Sequence, residues 1–514
     1  MYFYRYKMAP YIIFIITFLV TMCCGHTSKH ESTDYVAAVV EYNAIGNRTI
    51  HSPKQILAMN AHNYVNYIQQ AADSQVDIIV FPECGLSTIY LPENRSEIRP
   101  LLTRIPDPEE FKNPCLHLEE DTPEILQILS CAARNASIYV VVNLPELSPC
   151  SGTDCPPDGA FFYNTNIVFD RSGTIIARYR KFNLFGEPGF DITPTAELST
   201  FDTDFNVRFG LSTCFDIYFH DPIMQLVKEK GITDIAFPVA WFSEIPFITA
   251  IQVQEGWART LDINLLAAGY DDPANRNGGS GIYAGRKGKL TAIMPLTKTS
   301  RMLISRVPKK NIASQVSHHA STVESEQPVT STSERLFFSD YLAPYTTQLL
   351  QDAATNTTIC DRGLCCKFEV RTENVITYTN SASIRLVVFN GIRPFFGGRT
   401  GGIQVCSIIT CSNSSLSSCG QPVDPTKQLT KFDLISIKGN FNQTNSIHVP
   451  NTLKNTILPL DVESYTVSSR NLTNLLTHVH LRTIKTIRNL WTFGIYSREY
   501  DLDDLPFTLP STSS

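Results

Sequence analysis

A layered α/β domain followed by a β-rich, disulfide-stabilised one is the architecture that the hydrophobic pattern of this chain predicts. Three observations carry it. From residue 33 to 308, short apolar runs alternate with helical patterns. Residues 310–334 then turn polar, rich in Ser, Thr, His, Gln and Glu, as a linker does. From 335 to about 505, alternating stretches return together with dense cysteines.

The elements follow in order. Tyr35–Tyr42 is a β-branched, apolar first strand. Ser52-Pro53 opens a helix, with Ser52 as N-cap, Pro53 at the first position and Gln55 completing a capping box. Leu57, Ala61, Tyr64, Ile68 and Ala72 then recur at spacings of three and four, which makes one face apolar. Asp77–Glu83 is the next strand, Thr122–Ala133 a helix and Ile138–Val142 a strand. Asn166–Asp170 and Thr174–Arg180 form a hairpin around Arg171-Ser172-Gly173. Strand 207–213, helix 222–229, strand 234–238, helix 247–261 and strand 264–268 complete the first domain. Its strands lack polar alternation, so both faces of the sheets are covered. In the second domain, Ser383–Phe389 and Phe432–Lys438 alternate as strands.

The chain has 514 residues, with 43 basic against 49 acidic side chains and a net charge of −6. That balance argues against nucleic-acid binding, which needs a basic excess. Arg5 and Lys7 precede an apolar run, Ala9–Cys24, and a polar stretch follows. Residues 1–25 therefore read as a secretory signal peptide, the run being shorter than the roughly 20 residues of a spanning helix. The C-terminus lacks the hydrophobic tail of a lipid-anchor signal. The expected protein is secreted, soluble and monomeric.

Of 14 cysteines, Cys23 and Cys24 fall in the leader. In an oxidising compartment most of the others pair. Short spacings suggest Cys115–Cys131 and Cys150–Cys155, and leave the six cysteines after residue 335 to pair among themselves in any of 15 ways. Cys84 and Cys214 remain unpaired. Sequons for N-glycosylation begin at Asn47, Asn94, Asn135, Asn356, Asn413, Asn442 and Asn471.

Three apolar runs end in a residue able to do chemistry: Glu83, Lys181 and Cys214. An amide is a poor electrophile with a poor leaving group, so its hydrolysis needs a nucleophile, a proton shuttle and oxyanion stabilisation. Cys214 suits the nucleophile and Glu83 the proton acceptor. The Lys181 ammonium and the Phe215 backbone N–H suit the oxyanion. Glu187 is a second carboxylate able to orient Lys181 or the substrate. Cys84 neighbours Glu83, and strand alternation sends it to the opposite face, into the core. A Cys214–His220 protease pair lacks the local cysteine signature, and no Cys-x-x-Cys or His-Glu-x-x-His cluster suggests zinc. His318-His319 falls in the polar linker. No metal or cofactor is expected.

Phe81-Pro82-Glu83, Arg180-Lys181-Phe182-Asn183-Leu184 and Ser212-Thr213-Cys214-Phe215-Asp216 resemble the signature blocks of the nitrilase superfamily, in the same order. Finer features resemble its secreted vanin and biotinidase branch: Cys214 to Pro222, Phe237 to Trp241, Gly279 to Tyr283 and Cys155 to Thr165. The resemblance implies an α-β-β-α sandwich with an appended β domain, and the roles just given to Glu83, Lys181 and Cys214. It also implies a small amide as substrate, pantetheine for vanins or biocytin for biotinidase, with pantetheine the expectation here. Trp241, Tyr283 and the rest of segment 241–250 are candidates to shape the pocket. An adhesion or signalling glycoprotein on the same fold is the alternative, and the intact Glu83, Lys181 and Cys214 weigh towards an enzyme.

Overall fold

The computed structural model describes residues 32–117, 122–310, 337–373, 382–395, 397–428 and 430–507. The expected leader, and the expected linker apart from Lys310, lie outside the described residues.

The first half builds two six-stranded sheets. Its strands are β1 (Asp34–Glu41), β2 (Ile78–Val80), β3 (Tyr139–Pro149), β4 (Ala160–Phe169), β5 (Ile175–Arg180), β6 (Thr200–Asp202) and β7 (Arg208–Leu211). After them come β8 (Asp234–Val239), the two-residue β9 (Glu244–Ile245), β10 (Asn264–Gly269), β11 (Ser280–Ala284), β12 (Lys289–Ile293) and β13 (Arg301–Pro308). One sheet runs β13-β1-β2-β3-β4-β5 and the other β12-β11-β10-β8-β7-β6. Helices α1 (Pro53–Asp73) and α2 (Glu124–Ala136) cover the first sheet; α3 (Ile223–Lys228) and α4 (Ala250–Leu261) cover the second. Between the sheets, Ala37, Val39, Ile78 and Val141 meet Leu211, Ala236, Leu266 and Ile282. The layers are α-β-β-α, as expected.

Local sequence explains these elements. Ser52 Oγ accepts the Gln55 N–H and Gln55 Oε1 accepts the Ser52 N–H, so the capping box of α1 is closed. Each central strand is apolar on both faces because one face meets a helix and the other meets the second sheet. β2 is shorter than the Asp77–Glu83 run. The chain leaves the sheet at Phe81-Pro82, where Pro82 has no N–H for a ladder. Strands β11 to β13 were not foreseen: glycines and charges break their periodicity, and β12 and β13 are only half-buried for most of their length.

The second half is a sandwich of two five-stranded antiparallel sheets. The inner sheet holds Thr346–Leu349, Ser383–Pro394, Thr400–Cys411, Leu490–Glu499 and Ser446–Lys454. One face of it packs on Val253 and Trp257 of α4 through Val387, Val405 and Val449. Its other face, with Leu386, Ile408 and Phe493, meets Phe368, Ile437 and Leu481 of the outer sheet. The outer sheet holds Ala354–Asp361, Leu364–Thr372, Phe432–Asn442, Leu476–Thr483 and Tyr465–Asn471.

Among the described residues five disulfides form: Cys115–Cys131, Cys150–Cys155, Cys360–Cys365, Cys366–Cys406 and Cys411–Cys419. Cys84 and Cys214 are free. Both local pairs, the pairing of the last six cysteines among themselves and the two unpaired thiols match the sequence reading. All seven sequon asparagines are exposed. Among the described residues no helix is long and apolar enough to cross a membrane.

Two stability predictions follow from this packing. Cys366–Cys406 joins the outer sheet to the inner one across a separation of 40 residues. Replacing both by Ala is expected to lower stability by about 4 kcal/mol, the loop-entropy value for that length, measured by denaturant unfolding. Glu41, the last residue of β1, is fully buried and accepts the Gly279 N–H at 3.1 Å and the Ser280 hydroxyl. Burial pushes its carboxyl up to about 8. The folded chain therefore keeps a proton that the unfolded chain releases near 4.5. Stability from this group is full below about 4.5 and falls by about 1.4 kcal/mol per pH unit up to about 8. Glu41→Gln should remove that slope in urea titrations across the window; an unchanged slope would mean the carboxyl is already ionised.

Candidate active site

Glu83, Lys181 and Cys214 meet in one cavity of about 320 Å³. Three chain segments deliver them: the turn after β2, the end of β5 and the turn after β7. All three side chains are nearly buried, at 2%, 1% and 4% exposure. Lys181 Nζ donates to Glu83 Oε1 at 2.7 Å and also to Glu187 Oε1. Asn164 on β4 donates from one amide to both carboxylates, to Glu83 Oε1 at 2.8 Å and Glu187 Oε2 at 3.1 Å. The backbone N–H of Ala240 donates to the other Glu83 oxygen at 3.0 Å.

Charge states follow from this packing. Burial raises the Glu83 carboxyl above its ordinary value, with Lys181 opposing. For Lys181 burial alone would lower the value, but Glu187 and Glu83 outweigh it and hold the ammonium well above the usual range. Burial, then the Glu83 charge, pushes the Cys214 thiol well above its ordinary value. The resting nucleophile candidate is thus a neutral thiol beside a carboxylate, not a preformed thiolate.

The Cys214 turn is strained and tightly held. Cys214 has φ +46°, left-handed for a residue with a Cβ, and opens a 3₁₀ helix, Cys214–Tyr218. Asp216 Oδ2 accepts the Thr213 N–H at 3.0 Å and the Tyr179 hydroxyl at 2.7 Å. Its Oδ1 accepts the Asn183 N–H and side-chain amide, both at 2.9 Å. Asn166 donates to Thr213 Oγ1 at 2.9 Å, and Asn143 links Asn166 to Asn164. A ladder of amides therefore ties the Glu83–Lys181–Glu187 cluster to the Cys214 turn. The Phe215 N–H lies in the first turn of the 3₁₀ helix, where no intrahelical acceptor exists.

The C-terminal half closes the back of this turn. Phe395 packs edge-on against Phe215, with centroids 5.7 Å apart, and against Tyr218 at 5.2 Å. Fully buried Arg498 donates from Nε to the Tyr218 carbonyl at 3.0 Å, at the end of the 3₁₀ helix. Gly397 (φ +87°) and Gly186 (φ +59°) face each other so closely that a Cβ on Gly397 would sit 2.8 Å from the Gly186 nitrogen. That contact brings the 397–399 segment onto the loop that carries Glu187.

Two expectations, for Cys84 and Tyr283, change here. Cys84 does not point into the core. It lies in a turn with φ +56°, past the end of β2, and its half-buried thiol lines the same cavity as Glu83. Tyr283 does not line the pocket. It is fully buried in β11 and donates to Gln254 Oε1 at 2.9 Å. Trp241 lies in a narrow aromatic crevice under Cys214, with Tyr218 and Phe395, and its neighbour Phe242 lines the main cavity. His220 hydrogen-bonds Asp221 at 2.6 Å and lines neither space. Asn164, Asn143 and Asn166 were missed as site residues. Their signal was present: amides inside strands that are otherwise apolar, where such residues are depleted.

The cavity pairs this polar wall with an apolar one made of Ile89, Leu91, Phe185 and Phe190. Among the described residues, no group of three or more His, Cys, Asp or Glu side chains is arranged to hold a metal ion. The arrangement provides a thiol, a base next to it and a fixed cation, which is the equipment for acyl transfer from an amide.

Comparison with known proteins agrees with this chemistry. Residues 38–246 match the carbon-nitrogen hydrolase family, and residues 335–503 match the Vanin C-terminal domain. The chain is 35% identical to Vanin-like protein 1 of Drosophila melanogaster, over 95% of this chain and 90% of that one. It is 33% identical to the pantetheinase of Homo sapiens, over 85% and 83% of the two chains. It is 35% identical to the biotinidase of Takifugu rubripes, over 78% and 84%. Sharing both matched regions and nearly its whole length with such relatives, the chain belongs to the vanin and biotinidase family of carbon-nitrogen hydrolases and is a hydrolase acting on amides.

Proposed function

We propose that the chain acts outside the cell and hydrolyses pantetheine to pantothenate and cysteamine through a thioester on Cys214. The observation that carries the catalytic part is the meeting of Glu83, Lys181 and Cys214 in one cavity, with Lys181 Nζ 2.7 Å from Glu83 Oε1. In the first half-reaction Cys214 Sγ attacks the amide carbon while its proton passes to Glu83. The oxyanion is held by the Lys181 ammonium and the Phe215 N–H. As the C–N bond breaks, Glu83 returns the proton to the leaving amine. Water then attacks the thioester, giving a proton to Glu83, and collapse releases the acid and restores the thiol. Glu187 and Asn164 act by holding Lys181 and Glu83. Trp241 supports the nucleophile turn from below.

Pantetheine is preferred because the chain shares most of its length with pantetheinases of several mammals, 33% to 36% identical. A biotinyl amide is the second reading, favoured by the similarly matched biotinidase. The extracellular placement rests on the leader-like N-terminus, the five disulfides and the exposed sequons.

Cys214→Ala is expected to abolish turnover of pantetheine while leaving secretion and Tm nearly unchanged. Mass spectrometry of trapped enzyme should place the acyl group on Cys214; finding it on Cys84 would overturn the assignment. Side-by-side assays with pantetheine and biocytin decide the substrate, and activity on biocytin alone would sink the pantetheine reading. Asn164→Ala removes a hydrogen bond to a charged group, worth about 1.5–3 kcal/mol, so kcat/KM should fall about 10- to 100-fold. Because Asn164 lowers the Glu83 pKa, the acid limb of the pH–kcat/KM profile should also move to higher pH. A loss of rate with no shift of that limb would show that Asn164 acts elsewhere.

A further inference from the structure

We propose that the outer face of the C-terminal sandwich is a docking surface for a sulfated polysaccharide. The outer sheet turns Cys366, Phe368, Ile437 and Leu481 inward against the inner sheet, so the alternate residues face solvent, on the side away from α4 and the catalytic cavity.

Strand register places cations directly opposite one another on that face. Lys367 pairs with Lys438; beyond Lys438 the row continues to His480, which burial and the nearby Lys438 and Arg482 charges hold below its ordinary pKa, so it adds a neutral imidazole rather than a third cation. In the next row Glu369 pairs with Ser436, and Ser436 with Arg482. Arg371 follows beyond Glu369, and Arg470 faces His478 at the other end. Neighbouring strands lie about 4.8 Å apart, and like charges directly opposite are destabilising. Within these rows, Glu369 is the one carboxylate among the described residues, 3.8 Å from Arg371. Glu373, Asp433 and Glu463 lie beyond the rows and already pair with Lys431 or Lys485. A chain with net charge −6 thus places Lys367, Lys438, Arg470 and Arg482 on one sheet face, where Glu369 is paired with Arg371. Lys367, Lys438, Arg470 and Arg482 match an extended polyanion, and the exposed Asn440 and Ser468 offer neutral donors to sulfate oxygens.

A lipid surface fits less well. The rows present no aromatic or aliphatic wedge. The exposed Leu472 and Leu475 sit on the hairpin tip beside the exposed sequon Asn471, where a glycan would oppose insertion. Asn356 lies on the edge strand opposite Glu369 and Asn442 lies at a strand end, so neither sequon falls within the Lys367–Lys438–His480 row. The choice of a sulfated polysaccharide rests on the extracellular reading. The binding test uses purified protein, so its failure is separate from a failure of secretion or of amide hydrolysis.

Full-length protein should be retained on immobilised heparin at about 0.15 M NaCl, the physiological ionic strength. Lys367→Ser/Lys438→Ser/Arg482→Ser should elute at lower salt, with a log K against log salt plot about two to three units less steep. Its amide hydrolysis should equal that of the unsubstituted chain, which shows the fold intact. Lys54→Ser/Lys230→Ser, removing exposed cations from the first half, should elute unchanged. Flow-through of the unsubstituted protein, equal elution of the triple variant, or binding to phosphatidylserine vesicles without binding to heparin would each overturn the proposal.

Discussion

The ammonium of Lys181, buried between Glu83 and Glu187, is the interaction on which the rest of the site depends. A lone buried charge costs several kcal/mol, and removing one partner of a buried pair typically costs about 3–5 kcal/mol. The pairing therefore fixes three chain segments relative to one another: the end of β5, the turn after β2 and the loop carrying Glu187. Two carboxylates to one ammonium leave an excess of negative charge, which Asn164 relieves with a neutral donor to both. Burial first, and then the Glu83 charge, raises the proton affinity of Cys214.

The nucleophile turn depends on both halves of the chain. Asp216 and Asn166 hold Thr213 from the first half, yet Cys214 still sits in a left-handed conformation that costs roughly 1–3 kcal/mol. Arg498 and Phe395 hold the far end of the 3₁₀ helix from the second half. A guanidinium at the carbonyl end of a helix is also favourable to its dipole. Glu244, after β8, is tied to the second half through Arg393 at 2.6 Å, which also pairs with Asp340 at 2.9 Å. The appended sandwich is therefore part of the support of Cys214, held against the first half by buried ion pairs.

Much of this was legible in the sequence because the signals were local. The capping box of Ser52 and Gln55, the hairpin at Arg171-Ser172-Gly173 and the paired short-range cysteines each depend on a few adjacent residues. Glu83, Lys181 and Cys214 were legible through the motifs around them. What escaped depended on geometry beyond the motif. Cys84 was misread because alternation was carried past Val80, where Pro82 had already ended the strand. Tyr283 was misread because a tyrosine in a familiar motif looks the same whether it lines a pocket or donates to Gln254 in the core. Phe395 lies 181 positions from Cys214 in the chain, and nothing in its own neighbourhood marks it.

The neutral state of Cys214 also explains how one thiol stays reduced in a chain with five disulfides. Oxidation and disulfide exchange proceed through the thiolate. Burial and the Glu83 charge suppress that form, and 4% exposure leaves little access. Under the proposed mechanism the thiolate arises only as Glu83 takes the proton during attack on a bound amide. The features that slow spontaneous reaction of the thiol are then the ones that reserve it for substrate. Burial and the nearby Glu83 and Glu187 charges also push the Cys84 thiol up, but Cys84 is half-buried where Cys214 is buried, and its left-handed turn opens no 3₁₀ helix. Its amide is held by Asn143 Oδ1 at 2.9 Å. Two thiols in one cavity thus differ in their backbone setting: Cys214 opens a 3₁₀ helix, and Cys84 lies in a turn past the end of β2.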